Sequence, residues 1–104
     1  MTYSLRFLPE VEEDVFAGYK WYANKALGVG KEFLEIFYAH LSEISSNPLL
    51  YPKVYNGFRR CLLKKFPYAI YFMTEDNDII VFGLFHCARN PDTIKTNLQY
   101  RNEQ

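Results

Sequence analysis

Apolar and polar residues alternate at the start of the chain. Tyr3, Leu5 and Phe7 fall on one side and Ser4 and Arg6 on the other, the two-residue period of a strand. Pro9 ends that run and suits the first position of a helix, where its fixed φ and missing N–H cost nothing. Glu10, Glu12, Glu13 and Asp14 fill the first turn, where the helix dipole favours negative charge. Val11, Val15, Tyr19, Tyr22 and Ala26 then recur at helical spacing, although Leu8 before the proline has no side chain that can cap. Leu27-Gly28-Val29-Gly30 breaks the pattern. A second stripe follows, Val29, Phe33, Phe37, Leu41 and Ile44, widened by Leu34, Ile36 and His40. Helices joined by so short a connection are antiparallel neighbours, and Ser45-Ser46-Asn47-Pro48 stops the second one.

Residues 48–57 read as an ordered loop, and three strands follow at about 58–65, 68–74 and 79–86. Glu75-Asp76-Asn77-Asp78 has the composition of a hairpin turn. Residues 79–85 are apolar on both faces, which marks a central, covered strand. Asn90-Pro91-Asp92 caps a last helix reaching about Leu98, and residues 99–104 form a polar tail expected to fray. The expected fold is α+β, a single domain over residues 1–104. It comprises a strand, an antiparallel helical hairpin and a three-strand antiparallel meander, with the hairpin packed on one sheet face. Sheet order is not readable.

Composition supports a real core at this small size. Of 104 residues 49% are hydrophobic and 18% aromatic, so large side chains supply buried area without a disulfide or metal staple. The formal net charge is zero, but Lys53, Arg59, Arg60, Lys64 and Lys65 lie in one segment without an acidic residue. Such a segment can meet an anionic partner locally, whereas coating by nucleic acid needs a net basic domain. Cys61 and Cys87 have no CxxC neighbour and no histidine at metal spacing, and read as reduced, buried thiols. The first residues lack the basic and apolar regions of a signal peptide, and no apolar run approaches a membrane span. A cytoplasmic protein without cofactor or metal is expected.

The element order resembles RelE/ParE-family toxins of type II toxin–antitoxin systems, and the ParE branch most closely. The resemblance is carried by Phe7-Leu8-Pro9-Glu10, Leu27-Gly28, Phe33-Leu34 and Asn47-Pro48 through Tyr51-Pro52. It continues through Gly57-Phe58-Arg59-Arg60, Phe66-Pro67-Tyr68 with Ile70 and Tyr71, and His86 with Arg89 and Pro91. It implies a growth-inhibiting, plasmid-stabilising toxin neutralised by a cognate antitoxin, with contact to DNA only through that antitoxin. The ParE branch implies inhibition of DNA gyrase by binding, without catalysis. The alternative is a ribosome-dependent mRNA endoribonuclease of the RelE kind. A third reading is an inactive relative kept as a binding module.

The residues themselves carry no phosphate-binding glycine loop, metal cluster or nucleophile elbow. Cleavage of RNA through the 2′-OH needs a base, an acid and cations for the phosphorane. The candidates for those roles are His86, Arg89, Arg60 and Arg59, with Tyr68 and Tyr71 nearby in a strand where packing also explains them. His86 ends the central strand on the side of Ile80, Phe82 and Leu84, where it either titrates or hydrogen-bonds the Arg89–Asp92 turn. Arg59 and Arg60 are adjacent in a strand and point to opposite faces, so one is functional and one a solvated sheet residue; which is which stays open. RNA-cleaving members are strongly basic, and a pI near 6.7 departs from them. Target-binding candidates are Lys53, Arg59, Arg60, Lys64, Lys65 and Arg89. Tyr19, Trp21, Tyr22, Phe37 and Tyr38 exceed what one core-facing side of two helices accommodates, and are the candidates for antitoxin binding. His40 is expected as a hydrogen-bonded histidine at the core edge.

Overall fold

A computed structural model describes residues 3–103. The chain runs β1 (Ser4–Phe7), α1 (Pro9–Ala23), α2 (Val29–Ser46), a single 3-10 turn (Pro48–Leu50), β2 (Lys53–Tyr55), β3 (Phe58–Leu62), β4 (Tyr68–Glu75), β5 (Asp78–His86) and α3 (Pro91–Asn102). The five strands form one sheet in the order β1-β5-β4-β3-β2. β1 is parallel to β5 and every other pairing is antiparallel. β5 is therefore flanked on both sides, as its continuous apolar run requires.

The helical hairpin and α3 cover opposite faces. On the hairpin face Val11, Val15, Phe33, Phe37, Leu41 and Ile44 pack onto Cys61, Ile70, Phe72, Ile79, Val81 and Leu84. On the α3 face Ile94 and Leu98 pack onto Phe58, Ala69, Tyr71, Phe82 and Phe85. The two helices of the hairpin touch closely because Gly18 and Gly30 lack side chains there. A Cβ on Gly18 would lie 2.7 Å from the Phe33 ring, and one on Gly30 2.9 Å from Ala23.

Several expected boundaries move, each for a physical reason. α1 ends at Ala23, where the Asn24 N–H bonds the Lys20 carbonyl, leaving Ala26 exposed beyond it. The expected loop 48–57 holds β2, which turns into β3 through Asn56 and Gly57. Their φ values of 41° and 85° fit the left-handed geometry that two-residue hairpins demand. The strand expected to reach Lys65 stops at Leu62, because Lys65 itself sits at φ 67°. The cap on α3 forms as expected, with Asn90 Oδ1 accepting the Asp92 N–H at 2.8 Å. That helix continues past Leu98 to Asn102, while Gln104 lies outside the described residues.

What anchors the end of α3 is an ion pair with Asp14. Arg101 Nη1 and Nη2 reach Asp14 Oδ2 and Oδ1 at 2.6 and 3.1 Å, and the two side chains are only 13% and 14% exposed. β1 pairs with β5 only as far as Phe7 opposite Val81, so the next backbone groups of β5 lack a strand partner. Arg101 donates to the Phe82 carbonyl at 2.8 Å, and the Leu84 N–H donates to Asp14 at 3.2 Å. The ion pair takes the place of the missing strand and joins the helices of both faces across the sheet edge.

Candidate functional site

The sheet carries a bulge at Phe82, since Tyr71 pairs with Gly83 and Phe72 with Val81. Phe82 and Gly83 therefore both lie on the α3 side, and Gly83 has no room for a side chain. A Cβ there would lie 2.5 Å from the Phe85 ring. Beyond the bulge the alternation resumes in shifted phase. His86 shares the hairpin face with Leu84, while Ile80 and Phe82 pack on the α3 face. The expected grouping of His86 with Ile80 and Phe82 is thus corrected by one inserted residue.

His86 stands against Tyr68, ring centroids 5.0 Å apart, in a cleft of about 480 Å³ shared with Asp14, Trp21 and Arg89. Its Nδ1 accepts the Ala88 N–H at 3.0 Å, and its carbonyl accepts the Arg89 N–H at 3.0 Å. The imidazole holds the turn through Ala88, not through the Arg89–Asp92 segment. Tyr68 is half-buried. Burial raises its phenol above the ordinary value of 10.0, and Arg89 pulls it part of the way back. A phenol so placed is protonated at neutral pH and is a poor general base.

Arg60 lies on the other face. It sits opposite Tyr71 and lines a second, smaller cleft of about 160 Å³ with Tyr55, Cys87, Arg89 and Lys95. Arg89 borders both clefts. Arg59 points to the hairpin side, where its Nη1 donates to the Tyr51 carbonyl at 2.6 Å and faces that of Leu49 at 3.5 Å. It ties down the segment after α2, and its buried Nε has no partner among the described residues. Lys53 is exposed on β2 opposite Arg59. Lys65 reaches Glu32 at 3.6 Å in an exposed pair, and Lys64 is exposed. The basic segment is thus dispersed over the surface, with Arg60 alone turned into the smaller cleft. Lys95, which sequence reading passed over, joins it there. Cys87, expected to be buried, is exposed beside them, because it follows the end of β5.

His40 is buried and accepts the Lys64 N–H at Nε2, 3.2 Å away, as expected of a core-edge histidine. Its Nδ1 lies 3.6 Å from Cys61 Sγ and 3.5 Å from Glu43 Oε2. The set has the composition of a nucleophilic triad but not its chemistry. Burial first, and then the Glu43 carboxylate, push the Cys61 thiol from 9.0 up to about 11, and the thiol is closed to solvent. A raised thiol pKa favours folding fully below the unfolded value, and that advantage is lost as pH rises from about 9 toward 11. Urea unfolding should therefore show stability falling by on the order of 2 kcal/mol across that window. In Cys61→Ala the fall below pH 10 should largely vanish, since the raised tyrosines Tyr22, Tyr51 and Tyr68 act only above it. An unchanged alkaline limb would refute the assignment.

The third feature is an apolar groove of about 360 Å³ along α1 and α2, lined by Val11, Val15, Phe16, Leu34, Phe37 and Tyr38. Phe16 and Tyr38 are each 56% exposed at its rim, whereas Phe37 is 1% exposed and forms its floor. Tyr22 packs among Phe33, Phe66 and Tyr68. Trp21 is 54% exposed on the His86 side. Tyr19 stacks on Phe16. Of the aromatics expected on the surface, Phe37 and Tyr22 therefore serve the core. Leu34, expected only as part of the second stripe, and Phe16, which lies in neither stripe, line the groove as well.

Comparison with known proteins matches this architecture. Residues 5–91 match the family described as ParE toxin of type II toxin–antitoxin system, parDE. Toxin ParE2 of Mycobacterium tuberculosis is 26% identical over 102 residues, covering 97% of each chain. A chain of the chromosomal ParDE toxin–antitoxin system from P. aeruginosa superposes with a TM-score of 0.68 at 16% identity, over 82% of this chain and 96% of that one. A chain of the toxin–antitoxin complex RelBE2 from Mycobacterium tuberculosis gives 0.56 at 14% identity, over 83% and 99%. No helix among the described residues is long and apolar enough to cross a membrane. With most of its length matched, the chain belongs to the ParE toxin family of type II toxin–antitoxin systems.

Proposed function

We propose that this toxin arrests growth by binding DNA gyrase, and that a cognate antitoxin silences it by laying an apolar segment into the α1–α2 groove. The observation that carries the first half is the separation of the residues that RNA cleavage would need. His86 and Arg60 stand on opposite faces of the sheet, His86 Nδ1 is already taken by the Ala88 N–H, and Arg59 is turned toward backbone carbonyls. Arg89 is the one candidate cation that lines the His86 cleft, so the acid, the base and the several cations that a phosphorane needs do not gather around one phosphate. Binding a protein requires no such convergence. The second half is supported by the exposed Phe16 and Tyr38 beside a groove floored with apolar side chains, a surface of the kind an amphipathic segment covers. The ParDE and RelBE2 relatives are themselves described as toxin–antitoxin systems.

The test uses the purified chain in parallel assays. It should inhibit supercoiling by gyrase while leaving ribosome-bound mRNA intact, and induction without antitoxin should stop growth. His86→Ala should keep activity within a few-fold wherever it stays folded, because it loses about one hydrogen bond worth roughly 1 kcal/mol. Codon-specific mRNA cuts that fall by orders of magnitude in His86→Ala would replace this reading with the ribonuclease one. Tyr38→Asp should release the antitoxin without relieving growth arrest.

A further inference from the structure

The smaller cleft gathers charge in a way folding alone does not explain. Arg60, Arg89 and Lys95 line a space of about 160 Å³, and among the described residues none of them pairs with a carboxylate. Three other cations of the chain have acceptors, Arg101 in Asp14, Lys65 in Glu32 and Arg59 in two carbonyls. In the cleft, Arg89 lies over Phe85 and Lys95 over Tyr55, at 5.2 and 5.4 Å. Their aromatic supports hold them in place and leave their donors open. Arg60 is half-buried, and its guanidinium has no acceptor among the described residues. Three like charges lining one small cleft repel one another, and an anion between them relieves that repulsion. The N-terminal end of α3 borders the same space and adds to the positive field.

Size and walls choose the anion. Small-molecule sites run to roughly 300–1,000 Å³, so this cleft admits one side-chain head and no nucleotide. Val54, Ile94 and Leu98 line it beside the cations, which suits a carboxylate with apolar neighbours. A nucleic acid would need a track of cations for successive phosphates, but Lys65 and Arg59 lie on the other face and the formal charge is zero. We propose that the Arg60–Arg89–Lys95 cleft is the receptor for a single acidic side chain of a protein partner, the contact by which the toxin holds its target. That the partner is the target rests on the function proposed above; that the cleft takes a carboxylate does not.

The two parts are tested separately. The full chain, labelled for NMR of its arginine side chains, is titrated with the blocked tripeptide acetyl-Leu-Glu-Leu-amide, its Gln counterpart and a short oligouridylate. The Glu peptide should shift the Arg60 and Arg89 signals saturably and bind roughly tenfold or more tighter than the Gln peptide, the difference one charge-assisted contact makes. Arg60→Gln with Arg89→Gln should abolish that preference. Lys65→Gln should keep it, and so should the milder Arg60→Lys, at a few-fold weaker binding. Equal binding of the two peptides, or tighter binding of the oligouridylate at these arginines, overturns the proposal. In cells the double variant should lose growth arrest and still be captured by its antitoxin. If instead the unaltered toxin fails to arrest growth, the proposed function falls, and the peptide titration still decides what the cleft binds.

Discussion

Replacing Arg101 by Ala should lower the unfolding free energy by roughly 3 kcal/mol or more, a large share of the 5–15 kcal/mol typical of a small domain. The loss has three parts. Asp14 remains mostly buried with its charge uncompensated, the Phe82 carbonyl loses its donor, and α3 loses its C-terminal anchor to the sheet edge. Urea unfolding followed by circular dichroism measures it. Asp14→Ala should cost a similar amount, because it strands Arg101 and the Leu84 N–H. The double variant should cost clearly less than the sum, since neither leaves a lone buried charge behind. Arg101→Lys keeps the charge without the fork and should fall between. If Arg101→Ala shifts stability by less than about 0.5 kcal/mol, the pair behaves as an ordinary surface contact and the strand-replacing role is wrong.

That ion pair also shows where sequence reading stops. Asp14 has a complete local explanation as one of four acids near the start of α1, and Arg101 sits in a polar tail that reads as frayed. Nothing at either position points 87 residues away. Periodicity did locate both hairpin helices, the β4–β5 turn, the central β5 and the Asn90 cap, because each is written in short-range pattern. It lost the phase of β5, since a run apolar on both faces has no alternation in which an inserted residue would show. The glycine inside that run, Gly83, is the signal that marks such a bulge. β2 was equally recoverable from the Asn56-Gly57 pair, a strong two-residue turn signal that followed a strand too short to register. The candidate site was half legible. Arg60 and Arg89 stood out as cations near strand ends, but their convergence depends on the sheet register and the bulge. Lys95 depends on the phase of α3, a polar helix whose apolar contact with the sheet is made by Ile94 and Leu98. The core was the easiest part, and its tightest point leads to the other large effect expected.

Phe33→Ala should cost roughly 3–5 kcal/mol, the range for a fully buried phenylalanine. Phe33 joins the hairpin to the sheet through an aromatic cluster, with ring centroids 5.3 Å from Tyr22, 5.3 Å from Phe66 and 5.2 Å from Tyr68. The same ring presses on Gly18, where an added Cβ would lie 2.7 Å from it. Held on three sides by other rings, Phe33 cannot swing away to make room. Overpacking by Gly18→Ala in the unaltered protein should therefore cost about 1–3 kcal/mol before any gain in helix propensity, for a net loss of up to about 2 kcal/mol. That gain is the roughly 1 kcal/mol by which alanine is the better helix former. In the Phe33→Ala background the balance reverses. The ring is gone, the methyl enters vacated space, and Gly18→Ala should raise stability by up to about 1 kcal/mol. The sign change is the diagnostic, read from a four-member cycle of urea unfolding curves with unchanged slope. A Gly18→Ala substitution that stabilises the unaltered protein would show that Phe33 yields freely and that the glycine is not what allows the two helices to approach.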